Sequence, residues 1–120
     1  MNLSELLGID VSRSDEGSAT ATLAVDDRHV NAGGTMHGGA IATLIDVAMG
    51  AAVFAGGSDD ERPVTIEMKV NYLEAGGVGE VRATATVRRR GSRFTVLEAE
   101  VVQGDRVLAF GTGSFTTVRR

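Results

Sequence analysis

One long apolar segment constrains the fold of this 120-residue chain more than any other feature. A glycine-rich loop starting at Asn31 leads into it, and apolar residues at three-and-four spacing predict a helix from about Gly38 to Ala55. These residues are Ile41, Leu44, Ile45, Ala48, Met49 and Ala52. Nearly every other position is Ala, Gly, Val or Thr, so we expect the helix to be wrapped on most sides. The exception is Asp46, because a buried carboxylate is costly unless something compensates its charge.

Length and composition predict a single domain over residues 1–120. The net charge of −4 argues against a general nucleic-acid binder, and the absence of Cys excludes disulfides, thiolate catalysis and Cys-based metal sites. The first residues, M-N-L-S-E-L-L-G, lack the basic start of a secretory signal. The apolar run is interrupted by Asp46 and glycines, and we judge it too short and too polar to span a bilayer. We therefore expect a cytoplasmic protein without a membrane partner.

Strand patterns lie on both sides of the predicted helix. Before it, a short helix ends at Gly8, and two strands over residues 9–14 and 17–25 are joined by the turn S-D-E-G. After it, alternating apolar and polar residues predict four strands, of which the last two meet at the tight turn Gly104–Asp105. An α+β fold, with one long helix on a face of an antiparallel sheet, is the economical packing. Its edge strands favour dimerisation by sheet extension.

The start of the predicted helix suits a carbonyl oxygen that gains negative charge. Gly38 and Gly39 follow His37, where the first free backbone N–H groups point out of the helix. Alternatively, the glycines only allow close packing of helix and sheet. We expect His37 to position other groups rather than to act as a base. Asn31 either donates its amide to the same carbonyl or caps a turn.

Asp46 lies seven residues beyond Gly39, on nearly the same helix face but roughly 10 Å away along the axis. One carboxylate therefore cannot easily serve a carbonyl held at the start of its own helix. If the helices of two protomers face each other across a two-fold axis, Asp46 of one protomer can reach the helix start of the other. A structural partnership with an Arg side chain or a backbone group is the alternative. We rank it second because the helix contains no Arg or Lys.

These segments resemble a known family. The stretch from Asn31 through H-G-G to Asp46 is similar to hotdog-fold acyl-CoA thioesterases of the phenylacetic-acid-degradation (PaaI) type, as are V-T-I-E-M-K-V-N-Y-L, R-R-R-G-S-R-F and A-F-G-T-G. The resemblance implies an antiparallel sheet wrapped around one central helix, and hydrolysis of acyl-CoA to a free acid and CoA without a metal or a redox cofactor. It also implies that Gly38 N–H and Asn31 polarise the thioester carbonyl. Asp46 of the opposing subunit would then act as nucleophile or as general base on water.

The resemblance assigns Thr65 the role of orienting the attacking water. Strand alternation points the other way, because it places Thr65 on the same side as Glu67 and away from the Val64 and Met68 face. The hydroxyl would then reach the site only if that side meets a partner subunit.

The segment Arg88–Arg93, with the sequence R-R-R-G-S-R, is the one cationic cluster on an acidic chain, and we call it the basic turn. Its arginines are able to hold phosphates in bidentate fashion, although a charge run at a turn is usually a solvated tip. The resemblance implies that CoA binds here, next to Tyr72, through Arg89, Arg90, Gly91, Ser92 and Arg93. We expect a homodimer that pairs further into a homotetramer. The alternatives are a non-catalytic module that binds acyl-CoA and, less in keeping with the motif, an enoyl-thioester hydratase.

Overall fold

The computed structural model describes residues 1–15 and 17–119 and contains one six-stranded antiparallel sheet with a long helix on its face. The elements in chain order are α1 (Leu3–Leu7), β1 (Asp10–Asp15), β2 (Ser18–Val25), a 3-10 turn (Asp27–His29), α2 (Gly38–Ala55), β3 (Glu61–Tyr72), β4 (Gly79–Arg90), β5 (Thr95–Gln103) and β6 (Arg106–Arg119). The strand order is β1-β2-β4-β5-β6-β3, so β1 and β3 are the edges, and α2 contacts all six strands. The predicted α+β architecture and its element order are confirmed.

The helix boundaries follow from local capping. His37 is the N-cap of α2, and its side chain accepts a hydrogen bond from a backbone N–H of the first turn. Gly8 ends α1 with a φ of 79°, in the left-handed region that glycine adopts at low cost. The predicted turn over residues 14–17 includes Glu16, which lies outside the described residues.

The apolar face of α2 forms the centre of the core. Nine of its residues are buried against the sheet: Ala40, Ile41, Leu44, Ile45, Ala48, Met49, Ala51, Ala52 and Val53. By length and composition alone, α2 passes the test for a membrane-spanning helix, with 18 residues and a mean hydropathy of 1.7. The judgement that this run is too short and too polar is therefore wrong on that criterion. Within the chain, the sheet covers the buried residues of the apolar face of α2.

Two glycines of β6 allow β3 and α2 to pack closely against that strand. A Cβ at Gly111 would lie 2.5 Å from the backbone carbonyl oxygen of Lys69 on β3. A Cβ at Gly113 would lie 2.7 Å from Sδ of Met49 on α2. The glycines of the A-F-G-T-G segment are thus explained by packing.

Two β-bulges change which side chains face α2. In β3 the register with β6 shifts between Thr65 and Glu67, and in β4 the register with β5 shifts between Val87 and Arg89. A bulge inserts one extra residue, so the alternation of the strand changes phase at that point. Side chains that regular alternation would turn away from α2 therefore face it.

Candidate active site

Asp46 and Thr65 form a hydrogen-bonded pair on the open side of α2. Thr65 Oγ1 donates to Asp46 Oδ1 at 2.6 Å, a distance typical of a hydroxyl bound to a carboxylate. Asp46 is half-buried within the protomer. The reason is that α2 turns only one face to the sheet, and Asp46 lies at the margin of that face.

The orientation expected for Thr65 from regular alternation is wrong, and the bulge at Ile66 is the cause. Thr65 pairs with the buried Phe115 of β6, and beyond the bulge Met68 pairs with the buried Gly113. Directly paired residues of an antiparallel sheet share a face, so Thr65 and Met68 both face α2 despite their spacing of three. The Thr65 hydroxyl therefore reaches Asp46 within one protomer.

A cavity of about 440 Å³ opens beside this pair, between α2, β1 and the start of β3. Its walls combine apolar and charged side chains: Val11, Arg13, Asp46, Val47, Gly50, Ala51, Phe54, Glu61, Arg62, Pro63, Thr65 and Phe115. Cavities with apolar walls and a few placed polar groups are typical of small-molecule sites. Sequence reasoning missed Arg13, although it lies two residues beyond Val11 and therefore on the same face of β1.

The start of α2 presents a backbone donor. Gly39 N–H donates to His37 Nδ1 at 2.8 Å, so His37 acts as a cap. Among the hydrogen bonds of the described residues, none comes from Gly38 N–H. Tyr72, at the end of β3, donates its hydroxyl to the Gly38 carbonyl oxygen at 2.8 Å. The Gly38 N–H thus remains available at the positive end of the helix dipole.

Asn31 shapes the loop before α2. Its Oδ1 accepts hydrogen bonds from Gly33 N–H at 2.9 Å and from Thr35 N–H at 3.3 Å, and its Nδ2 donates to Thr35 Oγ1 at 2.9 Å. These contacts are those of an Asx-type turn. Asn31 therefore stabilises a turn in this protomer. To polarise a substrate carbonyl as well, its Nδ2 group would have to donate a second hydrogen bond to that carbonyl.

The buried His29 ties the loop before α2 to α1. Its Nε2–H donates to the Leu7 carbonyl oxygen at 2.7 Å, its Nδ1 accepts from Asp26 N–H at 2.9 Å, and its own carbonyl accepts from His37 N–H at 2.7 Å. Beside it, hydrogen bonds from the side chain and backbone N–H of Arg28 hold the pKa of the Asp26 carboxyl below its ordinary value. This network, which the sequence did not reveal, fixes the position of the His37 cap.

The two chemical groups lie apart in one protomer. Gly38 and Tyr72 line a cavity of about 300 Å³ at the start of α2, which shares no lining residue with the Asp46 cavity. Gly38 and Asp46 are eight residues apart, or roughly 12 Å along the helix axis. A carbonyl bound to Gly38 N–H is therefore out of reach of Asp46 in the same chain.

The basic turn lies at the other end of α2. Arg90 donates to the carbonyl oxygens of Val53 at 3.3 Å and Ala52 at 3.5 Å, and thereby binds the C-terminal end of the helix dipole. The bulge in β4 makes this possible, because Arg90 pairs with the buried Thr95 and so faces α2. Arg89 pairs with Val96 on the outer face and is exposed.

A polar groove of about 280 Å³ runs along this turn. It includes Arg90, Gly91, Ser92 and Arg93, which were assigned to CoA, but neither Arg89 nor Tyr72. Tyr72 instead lies at the start of α2, so one protomer does not bring it together with the turn. Among the described residues, no group of three His, Asp or Glu side chains is placed to hold a metal ion.

Comparison with known proteins points to one family. The thioesterase superfamily model matches residues 33–110, more than half of the chain. Acyl-coenzyme A thioesterase PaaI of Escherichia coli is 33% identical over 97 residues, covering 80% of this chain and 67% of that protein. The solved E. coli PaaI protein from the phenylacetic acid degradation operon superposes with a TM-score of 0.87 at 30% identity, covering 96% of this chain and 83% of that one. A conserved protein of Pseudomonas aeruginosa superposes with a TM-score of 0.93 at 42% identity, covering 98% and 94%. The expected hotdog fold and PaaI-type resemblance are confirmed.

Proposed function

The chain belongs to the thioesterase superfamily, as an enzyme of the acyl-CoA thioester hydrolase type, and we propose that its active site is shared between two protomers. One protomer supplies Asp46 with Thr65, and its partner supplies the Gly38 N–H. The observation that carries this proposal is the hydrogen bond from Thr65 to Asp46. It lies roughly 12 Å along the helix axis from the Gly38 N–H, which is the free donor at the start of α2.

Asp46 either activates water or attacks the thioester itself. As a general base, it takes a proton from water while the water oxygen bonds to the thioester carbon. The C–S bond then breaks, and the CoA thiolate leaves and takes up a proton. As a nucleophile, Asp46 forms an acyl anhydride that water hydrolyses in a second step. In both routes Thr65 holds the carboxylate. In the general-base route Thr65 also helps to orient the water.

The Gly38 N–H stabilises the carbonyl oxygen as it becomes negative. A backbone donor at a helix start costs no reorganisation, and the helix dipole adds to its effect. His37 keeps the helix start in place by capping it, and Tyr72 holds the Gly38 carbonyl. Asn31 contributes by shaping the preceding loop and, in our proposal, by turning its amide toward the same carbonyl.

Release of free thiol from a panel of aryl, short, medium and long acyl-CoA thioesters tests the activity. We expect Asp46→Asn and Asp46→Ala to abolish turnover with the fold intact, while Asp105→Asn on the exposed β5–β6 turn retains it. Saturable binding of acyl-CoA without release of CoA by the wild-type protein would instead indicate a non-catalytic binding module. Wild-type turnover by Asp46→Asn on every substrate would refute the role of Asp46.

Complementation between two inactive variants tests the shared site. Gly38→Pro removes the N–H at the first helical position, where proline fits, and the extended backbone of His37 suits a following proline. In a mixed dimer of Gly38→Pro and Asp46→Asn chains, both defects fall into one site and the other site is intact. With random exchange we expect about a quarter of the wild-type activity. No recovery despite proven mixed dimers would place the site within one protomer.

We further propose that the dimers form through the edge strand β3 and pair into a homotetramer, and that the protein is cytoplasmic, with no nucleic-acid or membrane partner. Light scattering on the purified protein tests the assembly.

The CoA phosphates would be bound at the basic turn, chiefly by Arg89 and Arg93, because Arg90 already binds α2. Replacing both with Met should raise KM for acyl-CoA but not for the matching thioester of N-acetylcysteamine, which lacks the phosphates.

A further inference from the structure

The cavity beside Asp46 has an arginine on its β1 side. Arg13 pairs with the buried Ala19 of β2 and so faces α2. Arg62 also lines the cavity, but it pairs with the exposed Val118 and alternates with the inward-facing Thr65. Neither arginine takes part in any ion pair within the described part of the chain. The carboxylates of the lining each accept a hydrogen bond from a hydroxyl, Asp46 from Thr65 and Glu61 from Thr117 at 2.9 Å. The lining therefore places apolar walls beside an Arg13 guanidinium that forms no ion pair with either carboxylate.

The Arg13 guanidinium lies over the aromatic ring of Phe54. Its guanidinium carbon lies 5.0 Å from the centroid of the Phe54 ring, within the distance of a cation–π contact. A guanidinium stacked on a ring keeps its in-plane N–H groups free, and its reduced mobility lowers the entropic cost of binding a ligand. The side chain is thus oriented to bind a planar anion through two parallel hydrogen bonds.

Its place along the helix separates this group from the reacting carboxylate. Phe54 lies eight residues beyond Asp46, roughly 12 Å along the axis of α2. Because Arg13 contacts the Phe54 ring, a carboxylate bound to its guanidinium would lie toward the C-terminal end of α2 from Asp46. Between the two lie Val47, Gly50 and Ala51, which offer an apolar path.

We infer that this cavity takes an acyl group that ends in a carboxylate, and that Arg13 is the residue that selects it. The inference rests on the proposed function, because it assigns the cavity to the acyl part of the thioester. A neutral acyl group would fill the apolar path but would cover the guanidinium without pairing it, which costs free energy. A terminal carboxylate satisfies the same donors.

Pairs of thioesters with equal chain length test this inference: adipoyl-CoA against hexanoyl-CoA, and suberoyl-CoA against octanoyl-CoA. We expect the wild-type protein to prefer one or both carboxylate-ended substrates by kcat/KM. Arg13→Met should lower kcat/KM for the preferred acid by about tenfold, as for a lost hydrogen bond between charged groups, and leave its neutral partner within about twofold. Arg13→Lys should retain an intermediate preference. Arg82→Met, an exposed substitution on β4, is the control and should change neither.

The phosphates of CoA are the other source of an anion, and the design distinguishes them. If Arg13 bound those phosphates, Arg13→Met would lower kcat/KM equally for both members of a pair and would raise the inhibition constant of free CoA. That result, or a wild-type preference for the neutral substrates, would overturn the inference. If the wild-type protein released no CoA from any thioester, the proposed function would fail. The inference would then be decided by whether Arg13→Met selectively weakens equilibrium binding of adipoyl-CoA.

Discussion

Replacing Thr65 with Val removes one hydroxyl and nearly nothing else. Val has almost the same shape, so β3 and its bulge should be retained. The lost interaction is the 2.6 Å hydrogen bond to Asp46 Oδ1. If Thr65 holds the reacting carboxylate, the variant should fold normally and lose activity.

The size of the loss follows from the kind of hydrogen bond. A hydrogen bond to a charged group contributes about 1.5–3 kcal/mol. The lower end applies here, because Thr65 is exposed and Asp46 only half-buried in the protomer, so water is able to replace part of the lost contact. A loss of about 1.5 kcal/mol in transition-state stabilisation lowers kcat/KM by roughly tenfold.

Thiol release with an acyl-CoA that the wild-type protein hydrolyses gives the measurement. Thr65→Ser keeps the hydroxyl and should retain most activity, and Thr84→Val, on another strand away from the cavity, should have no effect. Wild-type kcat/KM for Thr65→Val on every substrate would refute this reasoning.

Three further substitutions test the cavity, the packing and the loop. Gly50→Leu should narrow the cavity and lower kcat/KM for bulky acyl groups more than for short ones, as thiol release would show. Gly111→Ala should lower the free energy of unfolding in urea by about 1–3 kcal/mol, because the new Cβ meets the Lys69 carbonyl oxygen at 2.5 Å. Asp26→Asn should lower the Tm at neutral pH. Arg28 lowers the pKa of the Asp26 carboxyl in the folded chain, so the ionised carboxylate stabilises the fold at pH values above the ordinary pKa of Asp. That difference should shrink as the pH falls through the carboxyl titration range.

Matched variants control these experiments. Gly50→Ala should be tolerated, since its Cβ would make only an ordinary contact with Phe115 at 3.7 Å. Gly77→Ala meets no atom within 4 Å and should leave the unfolding free energy nearly unchanged. Asp105→Asn should melt like the wild-type protein at all pH values. Equal effects of each test substitution and its control would contradict the structural explanation.

Features encoded by neighbouring residues were predictable. The apolar spacing of α2 and its glycine-rich entrance depend on residues within a few turns of one another, and the helix was located at Gly38–Ala55. The strand patterns likewise gave the element order. Asp46 stood out as the one charge in the helix, and helix geometry alone separated it from Gly38. The hypothesis of a shared site therefore needs no coordinates, whereas the resemblance to a family was needed to name the reaction.

The orientation of the site side chains was decided only in three dimensions. A bulge depends on how a strand pairs with its neighbour, so strict alternation within β3 or β4 turns Thr65 and Arg90 the wrong way. The contact of Arg13 with Phe54 joins residues 41 positions apart and forms because α2 also packs against the edge strand β1. Periodicity describes a regular element by itself, whereas an active site depends on irregular pairing and on long-range contacts. These placed a hydroxyl beside Asp46 and the Arg13 guanidinium over the ring of Phe54, which lines the same cavity.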